Sequence, residues 1–160
     1  MGNHEATVRW RRRDGEVFTD RRYGRGHEWA FDGGARVRAS ASPDVVRVPY
    51  SDPAGVDPEE ALIAALASCH MLFFLDYAAQ AGFVITSYED RAVGTMAKRE
   101  DGQIWMSQVA LRPHVLFAGE KRPTEAEVAT LHHKAHEACY IANSVRTEIR
   151  IEGQAEGIRA

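Results

Sequence analysis

The chain opens with short runs in which apolar and polar positions alternate, the period-two pattern of strands. Residues 6–10 and 16–19 read as strands on either side of Asp14-Gly15, a hairpin turn pair. Residues 28–31 lead into Asp32-Gly33-Gly34, and residues 35–41 alternate again beyond it. Pro43, Pro49, Pro53 and Gly55 then punctuate a loop over about residues 42–56.

At residue 57 the period changes. Asp57 suits an N-cap, Pro58 the first helical position, and Glu59 and Glu60 the positive end of the helix dipole. The helix is expected over residues 58–81, with Gly82 as its stop. Residues 61–75 are apolar almost all round, only Ser68 and His70 being polar. Such a helix belongs at the centre of a fold. One small domain has little material to enclose ~36 Å of it, which points to a dimer. Residues 84–98 and 103–117 read as two long strands joined at Asp101-Gly102. Thr124, with Glu127 three residues on, forms a capping box that opens a second helix running to about Cys139. Residues 143–151 close the chain as a strand. The order predicts a single α+β domain across residues 1–160, without internal repeats.

At 160 residues the chain can bury a real core, and 44% hydrophobic with 27% charged residues is ordinary for a globular protein. A net charge of −3 argues against general nucleic-acid affinity despite the run Arg11-Arg12-Arg13. No apolar stretch is read as approaching the ~20 residues that span a bilayer, so no membrane partner is expected. Residues 1–10 lack the apolar segment of a signal peptide, so a cytoplasmic setting is expected. Persistent structural disulfides are uncommon there. The only two cysteines, Cys69 and Cys139, are therefore candidates for redox chemistry, metal binding or plain core packing, with a structural disulfide disfavoured.

Their neighbours narrow the choice. Cys69 lies in the apolar run from Ala64 to Leu72 and could simply be a small buried hydrophobe. A reactive role needs a thiolate and hence a cation close by. His70 points ~100° away on a helix, so the arginine-rich first third is the obvious source. Glu59 is explained by the helix dipole alone. It stands ten residues before Cys69, however, or ~15 Å along one helix axis. If both serve one site, Glu59 must come from a partner chain. His132, His136 and Cys139 share a helical face, flanked by His133. Zinc takes such ligands, but no second motif completes a set. The alternative is a polar helix face whose last histidine is favoured by the dipole. Trp10, Trp29 and Trp105 are read as core.

Two stretches resemble the OsmC/Ohr family of thiol-dependent hydroperoxide reductases. Asp57-Pro58-Glu59-Glu60-Ala61-Leu62, with Cys69 ten residues after Glu59, is similar to the family's first motif. Ala135-His136-Glu137-Ala138-Cys139 followed by Asn143 is similar to its second. The resemblance implies an intertwined homodimer with long buried helices at its centre and active sites at the subunit interface. It implies that Cys69 attacks a peroxide and that Cys139 resolves the sulfenic acid as a disulfide. Glu59 would hold an essential arginine near the thiol. Arg13 matches the family's placement of that arginine, and Arg25 is its rival. No cofactor or metal is implied. The substrate would be an organic hydroperoxide, with hydrogen peroxide as a second candidate, and an external dithiol would restore the pair. Leu62, Leu66, Met71, Leu72, Phe73 and Phe74 suit an organic substrate, and the same residues are equally explained as core. The chain departs from organic-hydroperoxide-resistance members in having Tyr140, not proline, after Cys139. A second reading keeps the fold and makes the chain a non-enzymatic protein that binds a ligand or metal through the His132/His136/Cys139 face.

Overall fold

The computed structural model describes residues 2–159. The fold is α+β, and the chain divides into two compact units, residues 1–61 and 62–160.

In the first unit, β1 (Ala6–Arg9), β2 (His27–Phe31) and β3 (Arg36–Ala39) form an antiparallel sheet in that order. Val8 pairs with Trp29, and Trp29 with Val37, as alternation predicts. The expected strand at 16–19 does not form, and β1 takes β2 as its partner instead. The physical reason is the Glu16 carboxylate. It accepts from the Arg13 amide at 3.1 Å and the Gly24 amide at 3.0 Å, tying the segment into a compact loop. The loop after β3 returns to it through Val56, whose amide donates to the Arg38 carbonyl at 2.9 Å. Asp57 and Glu60 then cap the helix reciprocally. The Glu60 amide donates to Asp57 Oδ1 at 2.8 Å and the Asp57 amide to Glu60 Oε2 at 3.1 Å.

That helix, α1 (Pro58–Gln80), ends at Gly82, whose φ of 76° only glycine adopts without strain. Its buried residues, Leu66, His70, Phe74 and Ala78, form one stripe at a spacing of four. The opposite side, with Ala64, Ala65, Ser68 and Leu72, is exposed within this chain, Leu72 at 61%. By length and composition alone α1 is long and apolar enough to cross a membrane, which the reading of its apolar core as too short did not allow for. Only 22% of its most apolar window is buried.

The two expected long strands each break in two. β4 (Val84–Asp90) and β5 (Val93–Lys98) part at Arg91-Ala92, and β6 (Ile104–Leu111) and β7 (Pro113–Ala118) part at Arg112. Pro113 lacks the amide that an unbroken ladder would need. Asp90 takes up the Arg112 amide at 2.7 Å instead. Between β7 and the closing strands runs α2 (Glu125–Ala138), opened by the expected Thr124–Glu127 capping box. The final strand is shorter than expected, because Ala142–Ser144 form a 3-10 turn. β8 (Glu148–Ile151) pairs with β6, and a further strand, β9 (Gln154–Glu156), pairs with β7, both in parallel. Two three-stranded sheets result, β4-β7-β9 and β5-β6-β8. One core cluster joins Phe74 and Ala78 of α1 to Val128, Leu131 and Ala135 of α2. A second gathers Leu66, Met106, Val109 and Leu111.

Candidate functional site

The second unit brings the cysteines together. Cys139 is the residue on which α2 ends, and its extended backbone (ψ 111°) turns the chain out of the helix. Asn143 holds this turn. Its side-chain amide donates to the Glu137 carbonyl at 2.8 Å and to the Cys139 carbonyl at 3.0 Å. The Glu137 carbonyl is one that a helix end otherwise leaves unpaired, and the Cys139 carbonyl also accepts from the Asn143 backbone amide at 3.0 Å. Cys139 is 1% exposed, and its sulfur accepts from the Ala142 amide at 3.4 Å. Cys69, half-buried on α1, lies close enough to interact with it, and both thiols are free. Burial first, and then the Cys69 sulfur, push the Cys139 thiol up to about 11. Cys139 is therefore a protonated thiol at neutral pH. Next to the pair, the Tyr140 ring meets Phe73 edge-on at 5.2 Å.

The histidine face divides. His132 turns inward, where its Nδ1 and His70 Nε2 share a hydrogen bond of 3.0 Å. His133 is exposed and lies 3.4 Å from Glu137. Among the described residues no cluster of three or more His, Cys, Asp or Glu side chains could hold a metal ion. Sequence reasoning missed the partnership of His70 with His132. Its signal was a lone imidazole in the most apolar stretch of the chain.

The other expected site residues lie in the first unit. Arg13 is exposed, and among the described residues its guanidinium makes no hydrogen bond or ion pair. It stands over Gly24, where a Cβ would come within 3.4 Å of its guanidinium carbon. Arg25 is committed. Its guanidinium sits 3.8 Å from the Tyr23 ring centre and donates to the carbonyls of Arg21 and Tyr23. Trp10, expected in the core, is 41% exposed and packs with Phe18 and Tyr23. With Val8, Arg25 and His27 these rings line a largely apolar cavity of about 400 Å³. Glu59 is half-buried in the first turn of α1.

The sequence model of the OsmC-like protein family matches residues 51–153. An OsmC-like protein of unknown function from Vibrio cholerae is 51% identical, with a TM-score of 0.93 over 96% of this chain and 100% of that one. An OsmC-like protein from Mycoplasma pneumoniae shares the fold at 14% identity, TM-score 0.70, covering 99% of both chains. An organic hydroperoxide resistance protein from Elizabethkingia anophelis does so at 16% identity, TM-score 0.65, covering 97% of this chain and 96% of its own. No curated protein matches the chain.

Proposed function

We propose that this chain, which belongs to the OsmC-like protein family, is a thiol-dependent peroxidase that reduces organic hydroperoxides to alcohols. One observation carries the reading. Two free thiols from different helices meet inside the fold, one of them held protonated by burial. A pair of this kind is suited to a cycle in which one sulfur attacks and the other closes a disulfide.

Because Cys139 stays a thiol near neutral pH, Cys69 is the attacking sulfur. Its thiolate attacks the terminal oxygen of the hydroperoxide, the O–O bond breaks, and the alkoxide leaves with a proton as the alcohol. The Cys139 sulfur then attacks the Cys69 sulfenic acid, and the hydroxyl leaves with the Cys139 proton as water. An external dithiol reduces the resulting disulfide by exchange. No cofactor enters. Arg13, whose guanidinium is uncommitted, supplies the charge that favours the Cys69 thiolate, and Glu59 orients it. A second copy of this chain covers the exposed Ala64, Ala65, Ser68 and Leu72 face of α1 and brings its own Glu59 to the site. The named organic hydroperoxide resistance protein with the same fold supports the substrate class.

The test is consumption of cumene hydroperoxide by the wild-type protein with dithiothreitol present, beside Cys69→Ser. Turnover in the wild type and none in the variant is expected. Equal rates in the two proteins would refute the proposal.

A further inference from the structure

Two imidazoles occupy the centre of the α1–α2 pair, where two apolar rings would cost less to bury. His70 is 1% exposed and His132 7%. Their rings are nearly parallel, at 9°, with centroids 5.3 Å apart, and His132 stacks on Phe74 at 4.3 Å. His70 Nε2 and His132 Nδ1 share one proton across 3.0 Å. The outer nitrogens, His70 Nδ1 and His132 Nε2, are buried without a partner among the described residues. Gly153 closes over one of them, since a Cβ there would lie 3.1 Å from His132 Nε2. A pair satisfied on only one side is a poor stabiliser. Its return lies in direction, which apolar contact lacks.

Direction matters here because of what lies beside the pair. The contacts between α1 and the α2 segment cluster within about two turns of α1, from Cys69 to Phe74. Phe74 and His70 meet His132, Cys69 meets Cys139, and Phe73 meets Tyr140. His70 adjoins Cys69 in sequence, and His132 stands seven residues, about two turns, before Cys139. The apolar cluster of Phe74, Ala78, Val128, Leu131 and Ala135 holds the helices together but tolerates small rotations and slides. A disulfide does not, because its sulfur geometry is narrow.

We infer that the His70–His132 hydrogen bond is the positioning device of the thiol pair: it fixes the rotation and height of α1 against α2, so that the Cys69 sulfur faces Cys139 and the disulfide is favoured. His70 and His132 are thus positioning residues that act through the cysteines. The inference deepens the peroxidase reading, on which it rests, by assigning what makes the disulfide of its resolving step favourable. His136, whose charge opposes protonation of His70, and Tyr88, whose ring packs on Phe74 at 5.6 Å, are further titratable rings in this region.

The experiment equilibrates the full chain with reduced and oxidised glutathione. The protein dithiol and one oxidised glutathione become the Cys69–Cys139 disulfide and two reduced glutathiones, with no peroxide involved. His70→Phe and His132→Phe should each lower this equilibrium constant about tenfold, and the double variant should fall no further than either single one. Urea unfolding of the reduced proteins should show a loss in each single variant, which leaves one imidazole buried without a partner, and no further loss in the double variant, where both rings are apolar. His132→Asn should recover much of the constant, because its side-chain amide reaches the place of Nδ1. His70→Gln should do the same for Nε2. A wild-type constant in both Phe variants would overturn the inference. So would a drop that follows lost stability and that neither amide variant recovers. Absent peroxide turnover in the wild type, with this pattern of constants intact, would retire the peroxidase reading and leave the positioning role standing.

Discussion

Cys139 and Arg13 both lie outside regular secondary structure, one where α2 ends and the other in the loop after β1, yet they are held in different ways. Around Cys139 the backbone is fastened on every side, by the Asn143 side chain on two carbonyls and by the Ala142 amide on the sulfur itself. Around Arg13 the Glu16 carboxylate, the Trp10 indole and the Arg25 guanidinium gather the loop, and the Arg13 guanidinium lies exposed over Gly24 without a hydrogen bond among the described residues. The difference follows from what each chemistry tolerates. A disulfide needs two sulfurs placed to within a few tenths of an ångström. A cation stabilises a thiolate through a field that falls off slowly with distance, so an exposed side chain without a fixed hydrogen bond suffices.

The same contrast governs what could be read in advance. Elements whose ends are written in local chemistry were legible: α1 from Asp57-Pro58 to Gly82, and α2 from Thr124 and Glu127. Cys69 lies on α1 as expected, while Cys139 falls one residue past α2, as its cap. The strand breaks at Arg91-Ala92 and Arg112 were not, because local alternation continues across them and only the pairing of each half with a different sheet separates the halves. Nor was the loop over residues 10–26, where Asp14-Gly15 does form a turn but the Glu16 carboxylate takes amides that a hairpin would use. Long-range partnership was the blind spot. His70 and His132 are 62 residues apart, and nothing in either segment announces the other.

The largest effect separates the two thiols. Cys69→Ser should lower turnover by more than about 10³-fold, since no other nucleophile remains. Cys139→Ser should keep the first peroxide attack yet accumulate sulfinic and sulfonic acid at Cys69 under excess peroxide. Mass spectrometry after a single pulse reads the difference. Equal overoxidation in wild type and variant would make Cys139 structural.

The arginines come next. Arg13→Ala should cost about 10²-fold in turnover with little change in stability, because the exposed guanidinium makes no hydrogen bond or ion pair among the described residues. Arg25→Ala should instead destabilise its own loop by roughly 1–2 kcal/mol, through lost carbonyl hydrogen bonds and Tyr23 packing, with less effect on rate. The reverse ranking would exchange their roles.

Glu59 tests whether the site is shared between copies. Glu59→Ala and Cys69→Ser chains, each inactive alone, should regain about half the activity per formed heterodimer when refolded together. Such a heterodimer holds one intact site and one doubly damaged site. Heterodimers that form but stay inactive would place Glu59 outside the partner's site.

Acid sharpens the comparison from the folded core. Burial pushes His70 and His132 down to about 4, while the unfolded chain titrates near the ordinary 6.5. Between these values the unfolded state binds more protons, so stability is fully present above 6.5 and declines as pH falls toward 4. The loss should reach roughly 3 kcal/mol for the first ring protonated. Urea midpoints across this range should flatten in the His70→Phe/His132→Phe protein. An unchanged slope would assign the acid sensitivity to other groups.

The smallest effect should come from Asn143→Ala. Removing its side chain frees the Glu137 carbonyl at the end of α2, which water can partly satisfy because Asn143 is exposed, and leaves the Cys139 carbonyl only the Asn143 backbone amide at 3.0 Å. Stability should fall by only about 1 kcal/mol. The Cys139 turn would nevertheless loosen, and disulfide closure depends on that turn while attack by Cys69 does not. Stopped-flow measurement should therefore find the first, peroxide-consuming phase unchanged and the second, disulfide-forming phase slowed a few-fold. If the first phase slows as well, Asn143 supports the attacking thiol too, and the division between a tightly built resolving side and a loosely held activating side fails where it should be clearest.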